Sequence, residues 1–330
     1  MTGPDGVLTG LAVARRVSTG QVSAVDFAAQ ALARLHEVDP VVRAFTAVRP
    51  RAEVLADAAA VDRAVAAGQE LPLAGVPIGV KASQALGHRY VRRLVAAGAV
   101  PVGFTSIPTR AVPWQTWGHT DRGPTRNPHR PDLTPGGSSA GSGAAVAMGA
   151  VPVATGSDGA GSVRIPAAWC GLVGVKPTAG TLPAGRFAEH GCLTRTVGDA
   201  WTYLDVVSAG AFGRTSGPDR PGLTRLVWSA DLGYADVDPE IADLAHSALR
   251  RLAAVADLTR VDVQVCLLDP RDSWLARREA GAAADSVSPQ IVRDQELLRD
   301  LLDGRTVLAT PTTPNRPHGH AARARPTRWP

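Results

Sequence analysis

Helical and strand periods alternate along the chain. DFAAQALARLHEV carries apolar residues at helical spacing behind a Ser23–Asp26 capping-box pattern, and it predicts a helix that Asp39-Pro40 stops. A second helix, rich in Ala and Val, is predicted from Arg51 to Ala67. LAGVPIGVK (73–81) is a continuous apolar, β-branched run, the pattern of a buried strand ending at Lys81. A short amphipathic helix from Tyr90 to Ala97, closed by Gly98, leads to a strand over 101–106. Residues 108–135 read as loop, with Trp114 and Trp117 inside it. GGSSAGSG (136–143) opens the small-residue helix AAVAMGA, and a strand over 152–156 leads into a second glycine-serine loop, SDGAGS (157–162). VRIPAAWC, a strand over 171–176, a turn after Thr181 and a helix over 197–210 follow. A strand over 226–230 precedes a helix with Asp238 as N-cap and Pro239 at its first position. Ile241, Leu244, Ala245, Ala248, Leu252 and Val255 keep helical spacing there. Strands over 261–265 and 306–313 flank a helix over 289–303, and the basic tail from His318 is expected to fray. Strands alternating with helices give an α/β sheet covered on both faces.

Composition narrows the classes. The 330 residues are 45% hydrophobic and 20% charged, which excludes wholesale disorder. No apolar run approaches the ~18 residues of a membrane span. The start, MTGPDGVLTG, has no basic region followed by an apolar one, so no secretory signal is expected. Cys170, Cys192 and Cys266 are odd in number and contain no CxxC, which fits reduced thiols in a cytoplasm. The net charge of +5 comes without a Lys/Arg block or an aromatic-basic motif, so neither nucleic acid nor a membrane is expected as a partner. Within that charge lies a bias: 33 of the 35 basic residues are Arg, and the only lysines are Lys81 and Lys176. Arg cannot lose its proton at working pH, whereas Lys can, so a retained lysine is a candidate for chemistry that needs a neutral amine.

Ser138 and Ser162 lie in the two glycine-serine loops, which a helix and a strand can return to one sheet edge. Successive N–H groups of such a loop can converge on one point, as an oxyanion requires. A phosphate cradle is the rival reading, but GGSSAGSG lacks the GK[ST] ending of a P-loop and no clean GxGxxG follows a strand. A serine nucleophile needs a base. His190, His318 and His320 fall in loop-like segments and His36 and His246 on predicted helices, none obviously suited. Lys81 could serve, because burial at a strand end lowers an amine's pKa toward neutrality. Lys176 reads as capping a strand-turn junction and Cys170 as a packed thiol. Trp114 and Trp117 suit loop anchoring at least as well as a substrate cavity.

PLAGVPIGVK, PTRNPHRPDLTPGGSSAGSGAAVA, GSDGAGSVRIPAAWCGLVGVKPT and VLATPTTP together resemble the amidase signature family of serine amidases. The similarity reaches from the first helix to about residue 210 and, more weakly, to 313. The resemblance implies an α/β amidase-signature fold, with a central mixed sheet covered by helices on both faces. Residues 1–210 would form the core with the catalytic loops, and 211–330 a reduced C-terminal part of the same domain. It also implies a Ser–cis-Ser–Lys triad: Ser162 the nucleophile, Ser138 the bridging serine after a cis peptide bond, Lys81 the base. The N–H groups of Gly159, Ala160 and Gly161 match the oxyanion hole. Asp158 and Arg164 match polar positions that support the loop, and Ser139 lies in the same network. The activity implied is hydrolysis of a small or medium carboxamide through an acyl-enzyme, with no cofactor and no metal.

The sequence departs from the family pattern in places. The Asp usual after the lysine is Ala82, the stretch from Lys81 to VRRLVAAGAV is short, GKTN is GFTS (103–106), and the second oxyanion glycine is Ala160. The middle between about 265 and 305 is compressed and the usual strands after TPTTP are expected to be missing. The expectation is therefore a wide-open site, a site completed by another subunit such as a homo-oligomer partner, or a site that has lost catalysis. Two rivals follow: an acyltransferase using the same acyl-enzyme, and a non-catalytic scaffold or partner subunit.

Overall fold

A computed structural model describes residues 9–109, 116–185, 187–212, 222–279 and 289–320; Trp114 and the tail beyond His320 lie outside them. Two compact units divide the chain, the first running to Ser216 with the segment from Pro317, the second spanning Gly217–Arg316.

The first unit begins with α1 (Gly10–Ser18) and α2 (Ala24–Val42). Ser23 caps α2 as its residue type suggests, accepting from the Asp26 N–H. Asp39-Pro40 does not stop the helix: α2 runs two residues past the proline, and Arg43 leaves it at φ 57°. The buried Asp39 carboxylate explains this, accepting from the N–H of Ala44 (2.6 Å) and Phe45 (3.1 Å) and from Arg122 (2.5 Å). These contacts fix the exit turn that proline would otherwise loosen. Then come β1 (Phe45–Val48), α3 (Arg51–Ala66), β2 (Pro77–Lys81), α4 (Arg89–Ala96) and β3 (Val100–Thr105). The short β4 (His119–Thr120) and β5 (Gly123–Pro124) punctuate the loop region. α5 (Ala140–Ala147), β6 (Val153–Asp158), α6 (Arg164–Cys170), β7 (Val173–Val175), β8 (Glu189–Thr194) and α7 (Val197–Val207) complete the unit.

Its sheet has the order β1-β3-β2-β6-β8-β7. β3, β2 and β6 are parallel; β1, β8 and β7 join antiparallel, so the sheet is mixed. β1, β8, α1 and α6 are elements that the hydrophobic pattern did not separate. β8 is buried at all six positions. It reads as loop in the sequence because Glu189 and His190 are polar, yet both are hydrogen-bonded inside: Glu189 accepts from the N–H of Gly180 (2.7 Å) and Leu182 (2.8 Å). α5 is built of small residues because it packs directly on the sheet; a Cβ on Gly141 would lie 2.1 Å from the Ala44 oxygen. The start of the tail does not fray. The Thr134 N–H donates to His318 O at 2.9 Å, and His318 Nε2 meets Thr116 Oγ1 at 2.7 Å.

The second unit holds β9 (Arg225–Trp228), α8 (Pro239–Ala256), β10 (Thr259–Arg260), α9 (Arg271–Glu279), α10 (Pro289–Leu301) and β11 (Thr306–Ala309). Its three strands are parallel in the order β10-β9-β11. Asp238 caps α8 with Pro239 next. The expected strand at 261–265 is not one: pairing stops at β10, continued only by the Val261 N–H to Leu226 O (2.9 Å). The apolar stripe of α8 is not a core face either. Leu244, Leu252 and Val255 are exposed, and Leu249 is the buried residue of the helix.

Candidate active site

The site gathers where β2 and β6 end. All five residues of β2 are buried, and Lys81 closes it at 3% exposure. The Lys81 N–H donates to Thr155 Oγ1 at 2.9 Å. Its ammonium nitrogen lies 2.9 Å from Ser138 Oγ, 2.9 Å from Ser157 Oγ and 3.3 Å from Ser157 O. Burial lowers the amine's pKa from 10.5 to about 7, against the opposing pull of the Asp158 charge. Near neutral pH the amine therefore exchanges between charged and neutral forms.

Ser138 follows a cis peptide bond from Gly137 and is half-buried. Gly136, at φ +89°, brings the loop against α6, where a Cβ would meet Pro166 Cα at 2.8 Å. The Ser139 N–H donates to Ser162 O at 3.2 Å, which joins the two glycine-serine loops. Ser139 contributes backbone only: its buried hydroxyl has no hydrogen-bond partner among the described residues.

The second loop is organised by Asp158. Its Oδ1 accepts from the Gly161 N–H (2.8 Å) and Arg164 (2.8 Å). Its Oδ2 accepts from the N–H of Val163 (3.1 Å) and Arg164 (3.2 Å) and from Arg164 Nε (2.9 Å). The carboxylate thus caps α6 and takes a bidentate guanidinium. Burial opposes its charge, but Arg164 and the loop N–H groups outweigh burial and hold its pKa below the ordinary value. Gly161 sits at φ +102°, a conformation that glycine adopts without strain. Its N–H is committed to Asp158, whereas those of Gly159 and Ala160 donate to no acceptor among the described residues. Ser162, half-buried, ends the loop. Among the described residues no hydrogen bond joins its hydroxyl to Ser138 Oγ.

Ser157, Thr155 and Gln84 carry no site signal in the sequence, and His190, unsuited there as a base, lies in the same hydrogen-bonded network. Thr155 and Ser157 are two apart on β6, so the strand period puts both hydroxyls on one face, and both meet Lys81. Gln84 and His190 give no local signal; they meet across 106 residues, at 3.0 Å. The other singled-out residues lie elsewhere. Lys176 donates to Pro177 O at 2.6 Å, and Cys170 is a packed thiol whose pKa burial raises. Trp117 stands edge-on to His119, and Cys192 is likewise buried. Among the described residues, no cluster of His, Cys, Asp or Glu could hold a metal, and no helix is long and apolar enough to cross a membrane.

The Amidase family model matches residues 88–270. An acylamidase of Rhodococcus erythropolis is 36% identical over 285 residues, covering 73% of this chain and 58% of that protein. The solved structure of a bacterial aryl acylamidase of the amidase signature family superposes with a TM-score of 0.72 at 25% identity, over 96% of this chain and 81% of that one. That of a 6-aminohexanoate cyclic dimer hydrolase superposes with a TM-score of 0.63 at 31% identity, over 77% of this chain and 60% of that one. The chain belongs to the amidase signature family. It spans somewhat under three-fifths of the length of the Rhodococcus acylamidase. Lys81 lies upstream of the span that the family model matches.

Proposed function

We propose that the protein hydrolyses the C–N bond of a small or medium carboxamide through an acyl-enzyme on Ser162. The observation that carries this reading is the buried Lys81 amine, 2.9 Å from Ser138 Oγ and with a pKa of about 7. A neutral amine there can take the Ser138 proton while Ser138 takes that of Ser162. Ser162 Oγ then bonds the carbonyl carbon. The carbonyl oxygen, now negative, is met by the unengaged N–H groups of Gly159 and Ala160. Collapse breaks the C–N bond, and the proton returns through Ser138 from Lys81 to the departing amine. Water, deprotonated through the same relay, then releases the acid. The Ser162–Ser138 contact is the one link the resting structure lacks; catalytic hydrogen bonds commonly tighten only around substrate. The names of the relatives, acylamidase and aryl acylamidase, make an acyl anilide the first substrate to try.

A fluorophosphonate probe followed by peptide mass spectrometry tests the reading. Labelling on Ser162, abolished in Ser162→Ala and in Lys81→Arg, is the expected result. Labelling on another residue, or an unlabelled protein that remains folded, contradicts it.

A further inference from the structure

Hydrogen bonds at the end of β2 form a chain whose direction can be fixed donor by donor. The β2–β6 ladder pairs Ile78 with Val153 and Gly79 with Ala154 and goes no further. Beyond it, side chains join the strands. Thr155 Oγ1 accepts from the Lys81 N–H, and its own proton goes to Gln84 Oε1 at 2.6 Å. The Gln84 NH2 then faces Gly156 O at 3.3 Å and His190 Nδ1 at 3.0 Å. The opposite amide orientation would set its carbonyl against that of Gly156. Nδ1 is therefore the accepting nitrogen of a neutral ring, and the ring proton sits on Nε2. Nε2 meets the Tyr203 hydroxyl at 2.5 Å, and that hydroxyl donates to Gly191 O at 3.3 Å. Every donor has an acceptor, and Thr155, Gln84, His190 and Tyr203 are all buried.

Gln84 also closes the turn after the strand, its N–H donating to Lys81 O at 2.7 Å. Lys81 is thus held at both backbone groups, directly and through Thr155. We infer that Gln84 is a positioning residue for Lys81, held in its working orientation by the Nε2–H tautomer of His190 and by Tyr203. This rests on the reading of Lys81 as the base. The surroundings of His190 suit a neutral ring: Tyr90 and Tyr203 pack on it, as does the His88 ring at 5.8 Å. Burial, then the charges of His88, Lys81 and Arg89, push its pKa down to about 3.

The test combines nitrogen-15 histidine spectra, carbon-13 lysine titration and the rate of fluorophosphonate labelling in wild type, Gln84→Met and Gln84→Glu. Wild-type His190 should show the Nε2–H tautomer and no titration from about pH 5.5 to 9. Gln84→Met should lower the plateau labelling rate on the order of tenfold or more. The near-isosteric Gln84→Glu cannot donate to His190, so the ring should carry its proton on Nδ1. Its added negative charge should raise the Lys81 midpoint and move the rising limb of labelling with it. An Nδ1–H tautomer in wild type overturns the proposal, as does Gln84→Met with unchanged labelling rate and Lys81 midpoint. An unlabelled wild type would count against the amidase reading alone, because the two spectra do not depend on labelling.

Discussion

At the scale of single residues, the proposed proton relay needs an amine that is neutral. With a pKa of about 7, Lys81 is mostly charged below neutrality and mostly neutral above it. Turnover of an anilide should therefore rise with pH through about 7 and then level off, because only the free amine accepts a proton. Lys81→Arg should be as inactive as Lys81→Met, since a guanidinium keeps its proton, while Lys176→Arg should keep near-wild-type rates. Parallel pH–rate profiles of the three variants check this, and an active Lys81→Arg would place the base elsewhere. That Lys81 is a buried strand-end amine was legible in the sequence, because it closes a continuous apolar run in a chain with one other lysine. What holds Lys81 was not. Ser157 reaches Lys81 from β6 and Gln84 meets β6 from the turn after β2, and no local pattern encodes which segments become neighbours.

At the scale of elements, Asp158 links strand, loop and helix. One carboxylate caps α6, ties down Gly161 and pairs with Arg164. Asp158→Ala should cost on the order of 3 kcal/mol, since it leaves buried N–H groups unmet. It should also release the Gly161 N–H and slow probe labelling more than a stability loss alone explains; urea titration together with the labelling rate separates the two. The stripe on α8 shows where pattern and structure part. Helical spacing was read correctly, but Leu252 and Val255 face solvent. Val255→Lys should change stability by no more than about 0.5 kcal/mol. Leu249→Ala should cost about 2–5 kcal/mol. β8 escaped the pattern for the opposite reason. Its buried Glu189 and His190 are satisfied by partners that lie elsewhere in the chain, and periodicity counts such residues as solvent-facing.

At the scale of the whole molecule, the α/β sheet was legible in the alternation of strands and helices, and its mixed character came through the resemblance that the glycine-serine segments carry. The antiparallel placing of β8 and the course of residues 82–88 were not, because both are set by tertiary hydrogen bonds. Global stability carries the signature of the buried amine. The unfolded chain holds the Lys81 proton up to about 10.5 and the folded one only up to about 7. Between those values the unfolded state binds more protons, so this residue's contribution to stability rises with pH across that window. Urea titrations of wild type and Lys81→Met should therefore diverge in favour of wild type on going from neutral to alkaline pH. The most direct measurement is of the amine itself. With lysine carbon-13 labelled at Cε, the chain gives two signals, and Lys176→Arg leaves that of Lys81 alone. If Lys81 is the base, that signal titrates near pH 7. A Lys81 signal that titrates near ~10.4, the value of a free lysine, would contradict it.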